Sequence, residues 1–203
     1  MNTFNFLPLV FLLSIVNSIT YAQGDYVITK NHEKVFCELR TESYGEYNPA
    51  YEYRVSKKSH FAKLDSNIVA YHIANDSAIY QLKNVPTFKS KIYLKRFVSG
   101  RINLYAYANT SRLYQSSGYN EVGNTYLFAS KGEDDVVQIK HASATLFGNA
   151  HSQNEEKAAF LGLVADNPAI LEKLETVKYD FYYILKYVKI YNSEYKENNK
   201  PVK

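Results

Sequence analysis

The spacing of apolar residues changes near residue 150, and that change limits the folds open to the chain. Before it, apolar side chains recur at every second position, the period of half-buried strands; after it, they recur at helical spacing. Long alternation followed by helices predicts an α+β fold. We expect an antiparallel β-meander or small partly open β-barrel of about seven or eight strands, followed by two or three C-terminal helices. The β-rich part should cover residues 23–148 and the helices 150–196, with 23–203 forming one domain.

Turn chemistry punctuates the first part. Asp25–Lys30 and Lys34–Glu42 read as a hairpin around Asn31-His32-Glu33. A tyrosine-bearing stretch, YGEYNPAYEY from Tyr44 to Tyr53, carries a turn at Asn48-Pro49. Strands are expected near Ala50–Val55, Asn67–Ile73 and Ala78–Lys83. The clearest hairpin is KIYLKRFVSGRINLYAYA, where Ser99-Gly100 is expected to supply a positive-φ turn between β-branched and aromatic runs. A last pair, Asn124–Ser130 and Asp134–His141, surrounds Lys131-Gly132-Glu133.

Helical signals take over beyond it. Ser152 and Glu155 have capping-box spacing, and Phe160, Leu161 and Val164 then share a face. Asn167-Pro168 restarts a helix, with Asn at the cap and Pro where its missing N–H costs nothing; Ile170, Leu171 and Leu174 form its stripe. A final helix is expected from about Lys178 to Tyr195. Its core-facing stripe should hold Phe181, Ile184, Leu185, Val188 and Tyr191. The tail KENNKPVK is polar and is expected to fray.

The N-terminus carries an address. Residues 6–16 read FLPLVFLLSIV, eleven residues that would make a helix of ~16 Å, about half a bilayer core of ~30 Å. Thr20-Tyr21-Ala22 then places small residues one and three positions before Gln23, as signal peptidase needs. The leader lacks Lys and Arg, which departs from the usual pattern. We expect residues 1–22 to be a signal peptide and the working chain to be exported, to the periplasm, cell surface or medium, without a transmembrane segment.

Charge excludes one class of partner. Residues 23–112 hold 14 basic and 8 acidic side chains, residues 113–203 hold 10 and 12. A mild excess spread over strands is not the clustered footprint of a nucleic-acid-binding face. Cys37 is the only cysteine, so no intramolecular disulfide can form. Alternation places it with Val35 and Leu39 on an apolar face, as a small hydrophobe rather than a reactive thiol.

The order YVITKNHEKVFCEL, LDSNIVAYHIANDSAIYQL, KRFVSGRINLYAY, TYLFASKGEDDVVQI, LVADNPAILEKL and a closing KIYN resembles a group of uncharacterised exported proteins of Gram-negative bacteria. The resemblance spans most of the chain after the leader, and its motifs are structural. That group more often has Asn-Gly or Gly-Asp where this chain has Asn31-His32-Glu33. Export and fold are what the resemblance implies; it assigns no residue a chemical role.

Catalytic patterns are lacking. His32, His60, His72, His141 and His151 never fall at zinc-ligand spacing, and no phosphate loop or nucleophile elbow occurs. Glu133-Asp134-Asp135 lacks the alternation of a calcium loop. No catalytic residue, cofactor or metal is expected. The chain has 20 Tyr and no Trp, a composition that serves packing or a recognition surface. The reading is a non-catalytic domain that binds a protein or cell-envelope component. The alternative is a small-barrel carrier of an apolar ligand, with a periplasmic hydrolase third. Two local sites follow. Tyr183, Tyr187 and Ile190 fall opposite the stripe of the last helix, either covered internally or forming an interaction patch. Ser77, in Asp76-Ser77-Ala78, stands in a turn that resembles a bacterial glycosylation site.

Overall fold

The computed structural model describes residues 24–41, 51–76, 78–115, 118–133, 135–143 and 150–198. The expected leader and Ser77 lie outside these residues. An eight-stranded antiparallel sheet, a three-stranded sheet and three C-terminal helices make up the fold, and the large sheet is open rather than a closed barrel.

Among the described residues, eleven strands occur in chain order: β1 (Tyr26–Thr29), β2 (Lys34–Phe36), β3 (Glu38–Thr41), β4 (Tyr51–Arg54), β5 (Ala62–Lys63), β6 (Ile68–Ile73), β7 (Ala78–Val85), β8 (Ser90–Val98), β9 (Ile102–Gln115), β10 (Gly118–Lys131) and β11 (Val137–Ser143). The large sheet runs β11-β10-β9-β8-β7-β6-β1-β2, and the small one β3-β4-β5. The helices are α1 (Ala150–Leu163), α2 (Pro168–Thr176) and α3 (Phe181–Asn198).

Pairing register explains why this sheet has a usable face. Directly opposed residues share a face. Val35, Val27, Tyr71, Tyr80, Lys95, Ala106, Leu127 and Lys140 form one row across all eight strands. At one end, Val27, Tyr71 and Tyr80 pack with Leu39, Tyr53 and Leu64 from the three-stranded sheet and its flank. At the other, Leu104, Leu127 and Ala129 pack against Phe160, Val164, Ile170, Leu174, Ile184 and Val188 of the helical part. The reverse face buries Leu94, Tyr105 and Phe128 beneath Phe88, which sits in the short 3-10 turn Pro86–Phe88.

Several expectations are corrected. The strand expected over Lys34–Glu42 is divided at Cys37, and its halves β2 and β3 enter different sheets. Strand β5 and the extension of β9 and β10 beyond the expected hairpins were not foreseen. Gly100 has no positive φ; positive values occur at His32 (62°), Lys89 (50°) and Gly132 (62°). Gly100 is required by close approach instead, since a Cβ there would lie 2.4 Å from Asn192 Cγ. Helix α1 already begins at Ala150, which places Ser152 inside its first turn rather than at the cap. The Asn167 cap holds, its Oδ1 accepting from Ile170 N at 3.2 Å. Helix α3 starts three residues later than expected. There Asp180 accepts from Tyr183 N at 3.1 Å, and the polar helix end extends to Asn198.

Candidate functional site: an apolar groove on the open sheet

The small sheet covers one end of the large sheet's face and the helices the other. Between them the face carries a groove of about 380 Å³, lined by Lys95 and Phe97 of β8, Ala106 of β9, Thr125 and Leu127 of β10, Lys140 and Ala142 of β11, and Phe181 of α3. That volume falls in the ~300–1,000 Å³ range of small-molecule sites. Small side chains make the concavity. Ala106 stands between Lys95 and Leu127, and Thr125 is paired to Ala142, so the floor is low where its neighbours are tall.

Two irregularities shape its ends. Register shifts between Arg96 and Val98 in β8, and the β10–β11 register shifts between Leu127 and Phe128. Extra residues in a strand bend it and re-aim side chains. Phe97, inside the first irregularity, joins the groove lining while Val98 remains in the core. Phe97 and Phe181 are both large, exposed apolar residues, and their ring centroids lie 6.0 Å apart at the groove wall.

Lys95 and Lys140 bound the part of the row that floors the groove, three strand spacings or ~14 Å apart along the sheet. Their ammonium groups lie 6.0 Å from the Tyr80 ring centroid and 5.5 Å from that of Tyr179. Long apolar stems let lysines line a greasy wall while the charge remains at its edge. No acidic side chain occurs among the described residues lining the groove.

The helix patch named from sequence lies elsewhere. Tyr187 is only 7 % exposed and belongs to the core cluster of the helices; Tyr183 and Ile190 pack against that cluster, half-buried. Of the expected stripe, Ile184, Val188 and Tyr191 are buried and Leu185 is half-buried. Phe181 is 44 % exposed and belongs to the groove instead. The sequence signal for the groove was weak: two alanines and a threonine on the strand face that otherwise carries Leu and Tyr.

Other candidates have visible structural partners. The Asp166 carboxylate accepts from Tyr191 Oη at 2.9 Å to each oxygen and pairs with Lys131 Nζ at 2.7 Å. Arg101 stacks over Tyr195 at 4.4 Å, so this cluster ties the hairpin tips to α3. A second cavity of about 420 Å³ lies beside Pro86, Gln138, Glu155 and Glu156, where Gln138 Nε2 donates to Glu156 at 2.8 Å. Tyr179 Oη donates to the Ile139 and Glu156 carbonyls, and burial pushes its pKa above the ordinary tyrosine value. His72 and His141 are stacked on Tyr26 and Tyr126 at 4.7 and 4.5 Å; His32 and His60 are exposed. Cys37 is half-buried beside Val35 and Leu39, and burial, then the Asp25 charge, pushes its thiol up to about 11.

Among the described residues, no three His, Cys, Asp or Glu side chains gather as a metal site, and no helix is long and apolar enough to cross a membrane. No protein family, curated protein or solved structure matches the chain.

Proposed function

We propose that this chain is an exported, non-catalytic binding protein that holds an apolar chain in the groove between its two covering layers. The observation that carries the reading is the pairing of Phe97 and Phe181, two exposed aromatic rings 6.0 Å apart on the wall of an alanine-floored groove. Exposed apolar surface gathered in one concavity marks a place where something apolar binds. Export is supported by the leader pattern of residues 6–22 and by the resemblance to exported proteins. The groove favours the ligand-carrier reading over a protein-contact role centred on α3, because Tyr187 is spent in the core.

Native mass spectrometry of the chain purified from its host tests this, together with Ala106→Phe and the edge-strand variant Ala142→Phe, each of which fills the floor. A co-purifying small mass that both variants lose is the expected result. A ligand-free native protein whose melting point also fails to rise with medium-chain alcohols refutes the reading, because any ligand that binds the folded state must raise it. Intact mass of the same material checks export: an N-terminus at Gln23 is expected, and retention of residues 1–22 refutes it.

A further inference from the structure

Resting on the apolar-ligand reading, we propose that the groove selects a single-chain amphiphile with a carboxylate head, a fatty acid of about twelve carbons, and that Lys95 and Lys140 are the selecting residues. Three features of the site lead there. The first is charge: both titratable side chains in the lining are cationic, and none of the described lining residues is acidic. An uncharged hydrocarbon would gain nothing from either ammonium, whereas a monoanionic head placed at either end meets one.

The second is the kind of cation. Lysine offers a compact point charge, whereas planar forks that clamp phosphate in two places come from arginine. Arg96 neighbours Lys95 in β8 but pairs with Tyr105, on the reverse face of the sheet. One ammonium suits a single-point contact with a small, singly charged head, and a carboxylate is such a head. The third is length. The row from β8 to β11 spans ~14 Å at ~4.8 Å per strand spacing. An extended chain advances ~3.5 Å over three bonds, or ~1.2 Å per bond, so about twelve bonds run from the strand of one lysine to that of the other. With its head at one lysine, such a chain crosses Ala106 and Leu127 and passes under Phe97 and Phe181.

Isothermal titration of the purified chain with dodecanoate and with dodecan-1-ol, both below their aggregation limits, separates charge selection from simple greasiness. Dodecanoate is expected to bind at least about tenfold more tightly at low ionic strength. The advantage should shrink with added salt as the charges are screened. In Lys95→Gln/Lys140→Gln the ratio of the two affinities should collapse towards unity, with thermal melting to show that the double variant folds. The single variants give the same reading in smaller steps where the double one does not fold. Equal affinities in the unsubstituted chain, or a ratio that the double variant leaves unmoved, overturn the carboxylate inference while leaving the groove reading standing. Failure of both probes to bind overturns the groove reading itself. Tighter binding of dodecyl phosphate than of dodecanoate overturns the head-group assignment. A dimer of ligand-free chain that Ala142→Phe dissociates gives the groove to a second copy and overturns the proposal.

Discussion

Asn192 replaces a missing strand, and removing it should cost more than its single side chain suggests. In an antiparallel strand the N–H and C=O of one residue point to the same side. At Ile102 they point away from β10, towards a stretch where pairing with β8 is first recorded at Leu104. The Asn192 carboxamide takes that place: Ile102 N donates to its Oδ1 at 2.8 Å, and its Nδ2 donates to Ile102 O at 2.8 Å. All of these groups are buried. Asn192→Leu keeps the volume and strands two backbone groups, each costing about 1–3 kcal/mol when left unsatisfied, or roughly 2–6 kcal/mol together. Gly100 belongs to the same device, because a Cβ there would meet Asn192 Cγ and Nδ2 at 2.4 Å. Gly100→Ala must therefore expel the carboxamide and lose the same bonds. In an Asn192→Ala background the obstacle is gone, so Gly100→Ala should then cost little. The cycle predicts a coupling of at least about 1 kcal/mol, well inside the range for contacting residues. Urea unfolding followed by far-UV circular dichroism measures the four proteins of the cycle and Asn192→Leu. A loss below about 1 kcal/mol for Asn192→Leu, or additive costs around the cycle, would refute the strand-replacement account.

Other outcomes follow from burial and charge. Tyr187→Ser should cost about 3–5 kcal/mol, as a core aromatic truncation does, and Tyr183→Ser less; an unchanged melting point with lost self-association would return the patch to the surface. Alkylation of Cys37 should be slow in the native protein at neutral pH and fast after denaturation, with a rate that climbs towards about pH 11; rapid labelling at pH 7 would contradict a half-buried thiol whose pKa is raised. Burial alone would raise the Asp166 carboxyl, but hydrogen bonds from Lys131 and Tyr191 outweigh it and hold the group below its ordinary value. A depressed carboxyl contributes stability that is full above the unfolded pKa and is lost as pH falls through the folded one. The gap between wild type and Asp166→Asn should therefore be constant near neutrality and narrow as the pH falls below about 4; a gap that does not narrow on acidification would show that charge is not its source.

Local periodicity made the architecture legible because each strand face and helix stripe repeats its own chemistry. KIYLKRFV and INLYAYA read as paired strands without knowledge of anything else, and Asn167-Pro168 marks a helix start by two residues alone. What local pattern could not provide was the partner. Cys37 looked like the middle of one strand because Val35, Cys37 and Leu39 alternate. Only the tertiary arrangement shows the chain leaving one sheet and entering another there. Gly100 looked like a turn glycine, yet its constraint is a side chain 92 positions away in sequence. Phe181 fitted the helical stripe by angle. It stands at the first position of α3, where it meets Phe97 at the groove wall instead of entering the core.

The groove follows from the same division of labour between layers. A face eight strands wide presents more apolar surface than either covering layer can reach, because neighbouring strands stand ~4.8 Å apart and the sheet twists away beneath a flat cover. The three-stranded sheet is served by Tyr71 and Tyr80, whose rings stack at 4.8 Å and fill the space beneath it. The helices are served by Leu104, Leu127 and Ala129. Between the two, the row carries Lys95 and Ala106, a charge beside a small side chain, where a Leu or Tyr would have left a sticky ridge exposed to water. An alanine lowers the floor without demanding a cover, and a lysine keeps the adjoining surface soluble while its stem stays apolar. Substituting Lys95→Leu would thus be expected to extend the apolar surface and promote self-association of the chain at high concentration. Sedimentation velocity measures it. A sedimentation profile unchanged from that of the unsubstituted chain would refute the idea that the Lys95 charge limits self-association.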